Sequence, residues 1–440
     1  MIVEIERAGA RGAEARRPAL GRYSGRMSVA THPVVLLNKS GVLKLRDGHP
    51  WIYSDELAAP PAATDEARSA RSGSAPAPGL VALEGPAGRR RGYAVHNPRS
   101  RIALRVVSRD PAADVTEDFW RPRLDAAIAA RAGSLAPGES ACRWVHAEAD
   151  GLPGLIVDRY VDVAVLQAGC QWADELAPAI ARQLVERHGL QGVLARHDGS
   201  FRRPEGLAEG VALLAGEVPH AVRWESAAEG GPIVRTVDPW TGQKTGAYLD
   251  QRENQRAAAR LLPAGRCLDA FCHEGGFALH LARAGRSVLA LDSSEPALAA
   301  LARNAADNGL ADRIEARRVN VFDELRAAVA GGASFDGIVL DPPAHAKRRG
   351  ERDDALRGYK ELNVRALRLL RPGGRLLSCS CSFHVGPEEF LDTLRAAAAD
   401  AGRDVRLVER RGAARCHPER LAFPESSYLK VFVLEVTGAW

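Results

Sequence analysis

The sequence predicts an α/β protein whose C-terminal half is a parallel sheet wound on both faces by helices, preceded by a small β-rich domain and a small α+β central domain. Three observations carry that reading. From about residue 233, strand-like runs (RCLDAF, SVLALDSS, IEARRVNVF, FDGIVLDPP, GRLLSCSCS) alternate with helix-like ones (HLARAG, EPALAALARNAADNG, KELNVRALRLLRPGG), and such alternation makes a parallel sheet with helices on both sides. Before it, short β-branched runs are divided by glycine turns. The length of 440 residues exceeds that of one usual domain of ~100–200 residues.

Residues 1–30 are polar, rich in Arg and Ala and without pattern, and Met27 directly precedes the first strand-like run, PVVLLNK. This stretch is expected to be a disordered extension or an over-called start. Residues 31–110 read as the β-rich domain, with VVLLNKSGVLKLRDGHPWIYSDEL, GLVALEGPAGRRRGYAVHN and RIALRVVS as its strand-bearing runs. The Pro, Ala, Gly and Ser content of 58–79 marks a flexible insertion. Residues 111–232 form the central domain: a helix over 117–133, strands GLIVDRY and VAVLQAG, helix ELAPAIARQLVERHG and strand GVLARHD. Residues 233–440 hold the wound sheet, closing with a charged strand (DVRLVERR) and SSYLKVFVLEV as an edge hairpin.

Composition removes several classes. No apolar run reaches the ~18 residues of a membrane span, and the Arg- and Glu-bearing start lacks the apolar stretch of a signal peptide, so a cytoplasmic protein without membrane contact is expected. Seven cysteines without a CxxC pair suggest neither a disulfide framework nor a thiolate zinc site, and no metal is expected. The net charge of +5 is unevenly spread. Residues 89–109 hold seven arginines and no acid, and 345–375 hold ten basic residues against four acidic ones, which suits a polyanion partner such as RNA.

In an open parallel sheet the ligand sits beyond the C-terminal strand ends. The first such end is LDAFCHEGGFALHLA: Asp269 closes the strand, Gly275 and Gly276 permit close backbone approach, and Phe271, Glu274 and Phe277 flank the turn. One strand later Asp292, 23 residues on and followed by Ser293, is placed to accept both hydroxyls of a ribose. The turn lacks GxGxxG, and its acid would oppose a pyrophosphate; it suits a cofactor with a cationic amino-acid end, S-adenosylmethionine. Asn320, Val321 and Phe322, at a third strand end, are expected near its adenine.

After the fourth strand comes LDPPAHAK, whose turn projects Asp341 toward a target base, and the fifth ends in SCSCS. Residues i and i+2 share a strand face, so of Cys379 and Cys381 the one nearer the sheet should be buried and the other should emerge at the rim. Carbon 5 of a pyrimidine is a poor nucleophile, and methylating it calls for a thiolate that first adds to carbon 6. Cys381 is expected to be that nucleophile, with Asp341 binding N3 and the exocyclic amine of cytosine. Two other readings stand beside it: transfer to an exocyclic amine of guanine or adenine, which needs no thiol, and a non-catalytic RNA-binding assembly factor.

Taken together, HPWIYSDEL, EADGLPGLIVDRY, KTGAYLDQREN, FCHEGGFALH, LDPPAHAK, RGYKELN, SCSCS and HPERLAFPESSYLK resemble the bacterial ribosomal RNA methyltransferases that make 5-methylcytosine in large-subunit RNA. The resemblance implies an N-terminal PUA domain that grips ribosomal RNA, a central domain and a Rossmann-like methyltransferase domain. It also implies an S-adenosylmethionine pocket completed by Tyr248, Gln251 and Arg252 and a nucleophile at Cys381, while the DPP turn itself projects Asp341 toward the methyl donor and so to the border of that pocket. His345 stands where the family has Phe, and Glu274 where Thr is common. The oligomeric state is left open, a homodimer included.

Overall fold

Along the strands of the C-terminal half, successive apolar side chains face opposite ways, and two separate cores result. The strands are β1 (Arg266–Ala270), β2 (Ser287–Asp292), β3 (Ile314–Arg318), β4 (Phe335–Leu340), β5 (Leu370–Ser380), β6 (Arg403–Arg411) and β7 (Lys430–Ala439). The accompanying helices are α1 (Arg252–Leu261), α2 (Gly276–Arg283), α3 (Glu295–Asp307), α4 (Val321–Ala330), α5 (Arg352–Leu369) and α6 (Pro387–Ala401). Cys267, Val288, Ala290, Val339, Leu377 and Cys379 pack on the side of α1, α2 and α3. Leu268, Leu289, Ile338, Leu340 and Leu376 pack against α4, α5 and α6. A two-residue period of burial on both faces is what a covered parallel sheet requires.

The computed structural model describes residues 32–58, 79–116, 118–344 and 349–439. The expectations for residues 1–30, for nearly all of the insertion in 58–79 and for His345 therefore lie outside the described residues.

The strand order is β3-β2-β1-β4-β5-β7-β6. β1 to β5 run parallel, and β7 lies antiparallel between β5 and β6. The closing hairpin is thus present, with charged β6 at the edge and apolar β7 inside. The chain starts at β1, moves outward to β3, and crosses to β4 on the other side of β1, so the order reverses between β1 and β4. A ligand crevice belongs beyond their C-terminal ends.

A five-stranded sheet precedes it, in the order 34–36, 79–84, 90–96, 104–108, 51–52. One run read as β-rich is helical here: Lys39–Arg46 forms a helix because Asn38 caps it, accepting from Gly41 N at 3.0 Å, and Leu45 turns inward. A second five-stranded sheet spans 141–216, and includes two strands that the sequence reading passed over, Ala141–His146 and Val211–Gly216. The first is interrupted by Arg143, which is held by Asp158 at 2.7 Å; the second is a largely exposed edge strand without a strong apolar face. The boundary expected at 232/233 falls inside a hairpin, Val222–Ser226 paired with Ile233–Val237.

Buried ion pairs join these parts. Arg105 bridges Glu148 (2.6 Å) and Glu205 (2.8 Å), Trp51 Nε1 donates to Glu148 (2.7 Å), and His49 meets Glu425 at 3.1 Å. The Arg-rich stretch 89–109 is therefore not one free basic face. Arg105 is a buried strut and Arg90 pairs with Glu84 at 3.4 Å.

Candidate active site

The loop between β1 and α2 carries three left-handed residues within five positions: Phe271 (φ 67°), His273 (φ 48°) and Gly275 (φ 82°). Non-glycine residues hold such angles only when the surroundings over-determine them. Here Leu291 O accepts from Phe271 N (2.9 Å) and Cys272 N (3.0 Å), and Asp292 Oδ2 accepts from His273 N (2.8 Å). The other oxygen of Asp292 accepts from Ser294 N at 2.8 Å. Asp292 is thus a rigid, half-buried carboxylate at the end of β2 with acceptor capacity to spare, and Ser293 beside it is exposed.

Asp269 is fully buried and accepts from Ala278 N (2.9 Å), closing the start of α2. Its Oδ1 has no partner, and burial pushes the carboxyl up to about 8. The two glycines serve the protein's own packing. A Cβ on Gly275 would lie 2.0 Å from Leu301, and one on Gly276 would lie 2.2 Å from Gln255. Asn320 caps α4, accepting from Phe322 N at 3.0 Å; Val321 is buried, and Phe322 stands edge-on to Phe271, ring centres 6.2 Å apart.

Three of the residues expected at the cofactor have side chains engaged within the protein itself. Phe277 is buried in the core on the α1–α3 face, because α2 turns that side to the sheet. Glu274 faces buried Arg235 (3.8 Å), and burial raises its carboxyl. Arg252 is 1% exposed and its guanidinium holds Ala141 O (3.0 Å), Ser134 O (3.0 Å) and Glu139 (3.0 Å), making it a strut to the central sheet. Its neighbours in KTGAYLDQREN do reach the rim. Gln251 faces the Asp341 carboxylate and helps to stabilise its charge, and Tyr248 stands edge-on to His273 at 5.0 Å.

Beyond β4 and β5 lies the chemistry-bearing group. Cys379 is 0% exposed and faces Asp341, whereas Cys381, one residue past β5, is half-buried with its Sγ 4.0 Å from Pro342 O. Both thiols lie on the same side of the sheet. Burial, then the charge of Asp250, push Asp341 up to about 7. Burial, then Asp341, push Cys381 up to about 11, against the opposing pull of Lys244 and Lys430.

Several residues here were not anticipated. Lys430 Nζ is buried, donates to Ser382 O (2.7 Å) and Tyr428 O (2.8 Å), and burial lowers it to about 8. Asp250 accepts from Tyr428 (2.7 Å) and Lys244 (3.3 Å). Phe383, 49% exposed, projects two residues past Cys381. A charged Lys at the start of a buried apolar strand, LKVFVLEV, was the available signal for Lys430. Nothing local marked the others, which come from distant segments.

Comparison with known proteins agrees with this geometry. Residues 35–109 match the PUA-like domain family and 262–410 a methyltransferase domain family. Ribosomal RNA large subunit methyltransferase I from Shewanella frigidimarina is 37% identical over 391 residues, 88% of this chain and 95% of that protein. The protein of the same name from Photobacterium profundum is 35% identical, covering 91% and 99%. A solved structure described as a SAM-dependent methyltransferase from Streptococcus mutans superposes with a TM-score of 0.75 at 17% identity, covering 92% of this chain and 100% of that one. Another, a methyltransferase complexed with SAH, gives a TM-score of 0.76 at 17% identity with the same coverage, and both show the shared fold. The chain belongs to the ribosomal RNA large subunit methyltransferase I family, a PUA-like domain joined to a methyltransferase domain of Rossmann-like fold.

Proposed function

We propose that this protein methylates carbon 5 of a cytosine in large-subunit ribosomal RNA through a covalent adduct at Cys381. The observation that carries the proposal is the half-exposed Cys381 thiol beyond β5, beside the Pro342 carbonyl and close to Asp341, with Cys379 fully buried behind it. Transfer to an exocyclic amine gives no reason for a thiol at that rim.

S-adenosylmethionine is the cofactor, and the residues present fit it. The Asp292 carboxylate has free acceptor capacity for a ribose diol, the half-buried Phe322 offers apolar surface for an adenine, and Asp269 keeps one buried oxygen without a partner. When bound, the cofactor supplies the electrophilic methyl group that carbon 5 accepts.

The protein's own part is to make carbon 5 nucleophilic. The Cys381 thiol, pushed up to about 11, gives its proton to a base as its sulfur adds to carbon 6; the C–S bond forms, the carbon 5–carbon 6 double bond opens, and the N3 side of the ring gains electron density. An Asp341 carboxyl raised to about 7 is substantially protonated near neutrality, so it can donate to N3 and offset that charge. After methylation a base removes the carbon-5 proton, the C–S bond breaks and the thiolate is restored. Phe383 offers an exposed ring on which a base drawn out of its stack can rest.

The test is a denaturing gel of protein, cofactor and ribosomal RNA carrying 5-fluorocytidine, in which fluorine cannot leave as the proton does. A covalent band is expected for wild type and for Cys379→Ala, and none for Cys381→Ala, which should also lose turnover. Full methylation by a variant lacking both thiols would end the covalent mechanism. A band that needs Cys379 instead would reverse the assignment.

A further inference from the structure

Three arginines from distant parts of the chain converge on one cleft of about 400 Å³. Arg109 follows the last strand of the N-terminal sheet, Arg123 lies on the helix Trp120–Ala130, and Arg420 lies in the segment before β7. Each guanidinium is anchored by neutral backbone. Arg109 donates to Gly48 O, Arg123 to Gly151 O (2.7 Å) and Val107 O (2.5 Å), and Arg420 to Glu148 O (2.7 Å). The one acid in the lining, Asp150, has both oxygens on Arg131 at 2.8 and 2.6 Å, so its charge is already matched.

Three positive charges therefore share this cleft without a carboxylate partner among the described residues, and protons are held less tightly there. Burial, then the charge of Arg420, lower both Arg109 and Arg123. Arg318, which meets Glu295 at 2.6 Å, and Arg203, which meets Glu209 at 2.6 Å, are by contrast paired with carboxylates. Guanidinium forks pinned by carbonyls and mutually repelling, Arg123 and Arg420 part-buried and Arg109 exposed at the mouth, form a preorganised receptor for an anion with several acceptor oxygens.

We propose that this cleft binds phosphodiester groups of the ribosomal RNA backbone. The inference rests on the reading of the protein as an RNA methyltransferase and adds to it a phosphate site built jointly by the PUA-like region, the central domain and the segment leading to β7. A strand held there is fixed with respect to all three at once. Phosphate contacts set register and orientation and carry no sequence information, so the cleft serves positioning and leaves base choice to the rim.

The experiment measures binding of a large-subunit ribosomal RNA transcript across potassium chloride concentrations. The variants are Arg109→Gln, Arg123→Gln and Arg420→Gln, singly and combined, with Arg318→Gln as control. Each cleft variant should lower affinity at low salt and reduce the slope of log affinity against log salt by roughly 0.7–0.9, while the control leaves it unchanged. Unchanged slopes in the cleft variants would overturn the proposal. So would thermal protection of wild type by inorganic phosphate, absent in the variants, with the RNA slope unaltered, since the site would then take a small free anion. If the triple variant does not fold, Arg109→Glu carries the test: affinity at low salt must fall several-fold, and unchanged affinity overturns the proposal. The readout is binding alone, so RNA held with a normal slope but never methylated at cytosine would sink the proposed reaction and leave the cleft intact.

Discussion

The junction between the sheets and the rim beyond β1, β4 and β5 handle buried charge in opposite ways. At the junction nearly every buried cation meets a carboxylate: Arg105 with Glu148 and Glu205, Arg143 with Asp158, Arg131 with Asp150, Arg252 with Glu139. At the rim Asp269 leaves an oxygen unpartnered, Asp341 is raised to about 7, and Lys430 is lowered to about 8 and donates to backbone carbonyls. The same chain evidently can saturate its buried charges. Where it does not, at the rim, perturbed groups gather, and in the proposed reaction substrate and cofactor supply the missing partners. The arginine cleft is the instructive exception, lying at the junction while unpaired as the rim is.

The largest expected effect separates the two regions through Arg252. Arg252→Ala removes a guanidinium that is 1% exposed and leaves Glu139 buried, although Arg256 still reaches it at 3.3 Å. The expected loss is about 3 kcal/mol of stability, near the low end for breaking a buried pair. Urea melts should show that loss, while the folded protein should keep its cofactor affinity in calorimetry. Lost affinity at unchanged stability would return Arg252 to the cofactor pocket and erase the contrast.

At the rim the cost should fall on the ligand instead. Asp292→Asn keeps an acceptor for only one of the two loop amides, those of His273 and Ser294, which bond to separate carboxylate oxygens, and removes the charge offered to a ribose diol. S-adenosylmethionine affinity should drop by ~1.5–3 kcal/mol, roughly tenfold or more, while the lost loop bond costs the fold about 1 kcal/mol. Unaltered calorimetric affinity would move the cofactor away from the end of β2.

Much of this division was legible in the sequence, for reasons that differ by residue. The five parallel strands and the two thiols followed from periodicity: alternate burial along β5 puts Cys379 inside, and the strand end puts Cys381 at the rim. The position of Asp292 followed from strand succession. Arg252 and Glu274 sit one or two residues from groups that face the rim, and only three dimensions show that helix and turn aim them at Glu139 and Arg235. Lys430, Asp250 and the arginine cleft depend on segments that converge from far along the chain. The charge surplus over 89–109 was visible, but its partition into the paired Arg90, the buried Arg105 and the unpaired Arg109 was not.

A last comparison tests whether the rim's imbalance is stored in the folded protein itself. An aspartate titrates near ~3.9 in an unfolded chain, whereas Asp341 is pushed up to about 7 by burial and by Asp250. Between those values the folded state keeps a proton that the unfolded state has lost, so this group's contribution is fully present below pH ~4 and stability falls as pH rises toward 7. Asp341→Asn carries no such proton. The melting temperature of the variant relative to wild type should therefore be more favourable at pH 8 than at pH 4. The rise from ~3.9 to about 7 bounds that difference at roughly 4 kcal/mol. The comparison needs both pH values, since the amide also changes contacts with Gln251 and Cys379, and that part does not vary with pH in this range. An equal difference at the two pH values would mean that Asp341 is ionised without strain in the folded protein. The rim would then lack the proton that the proposed donation to N3 requires.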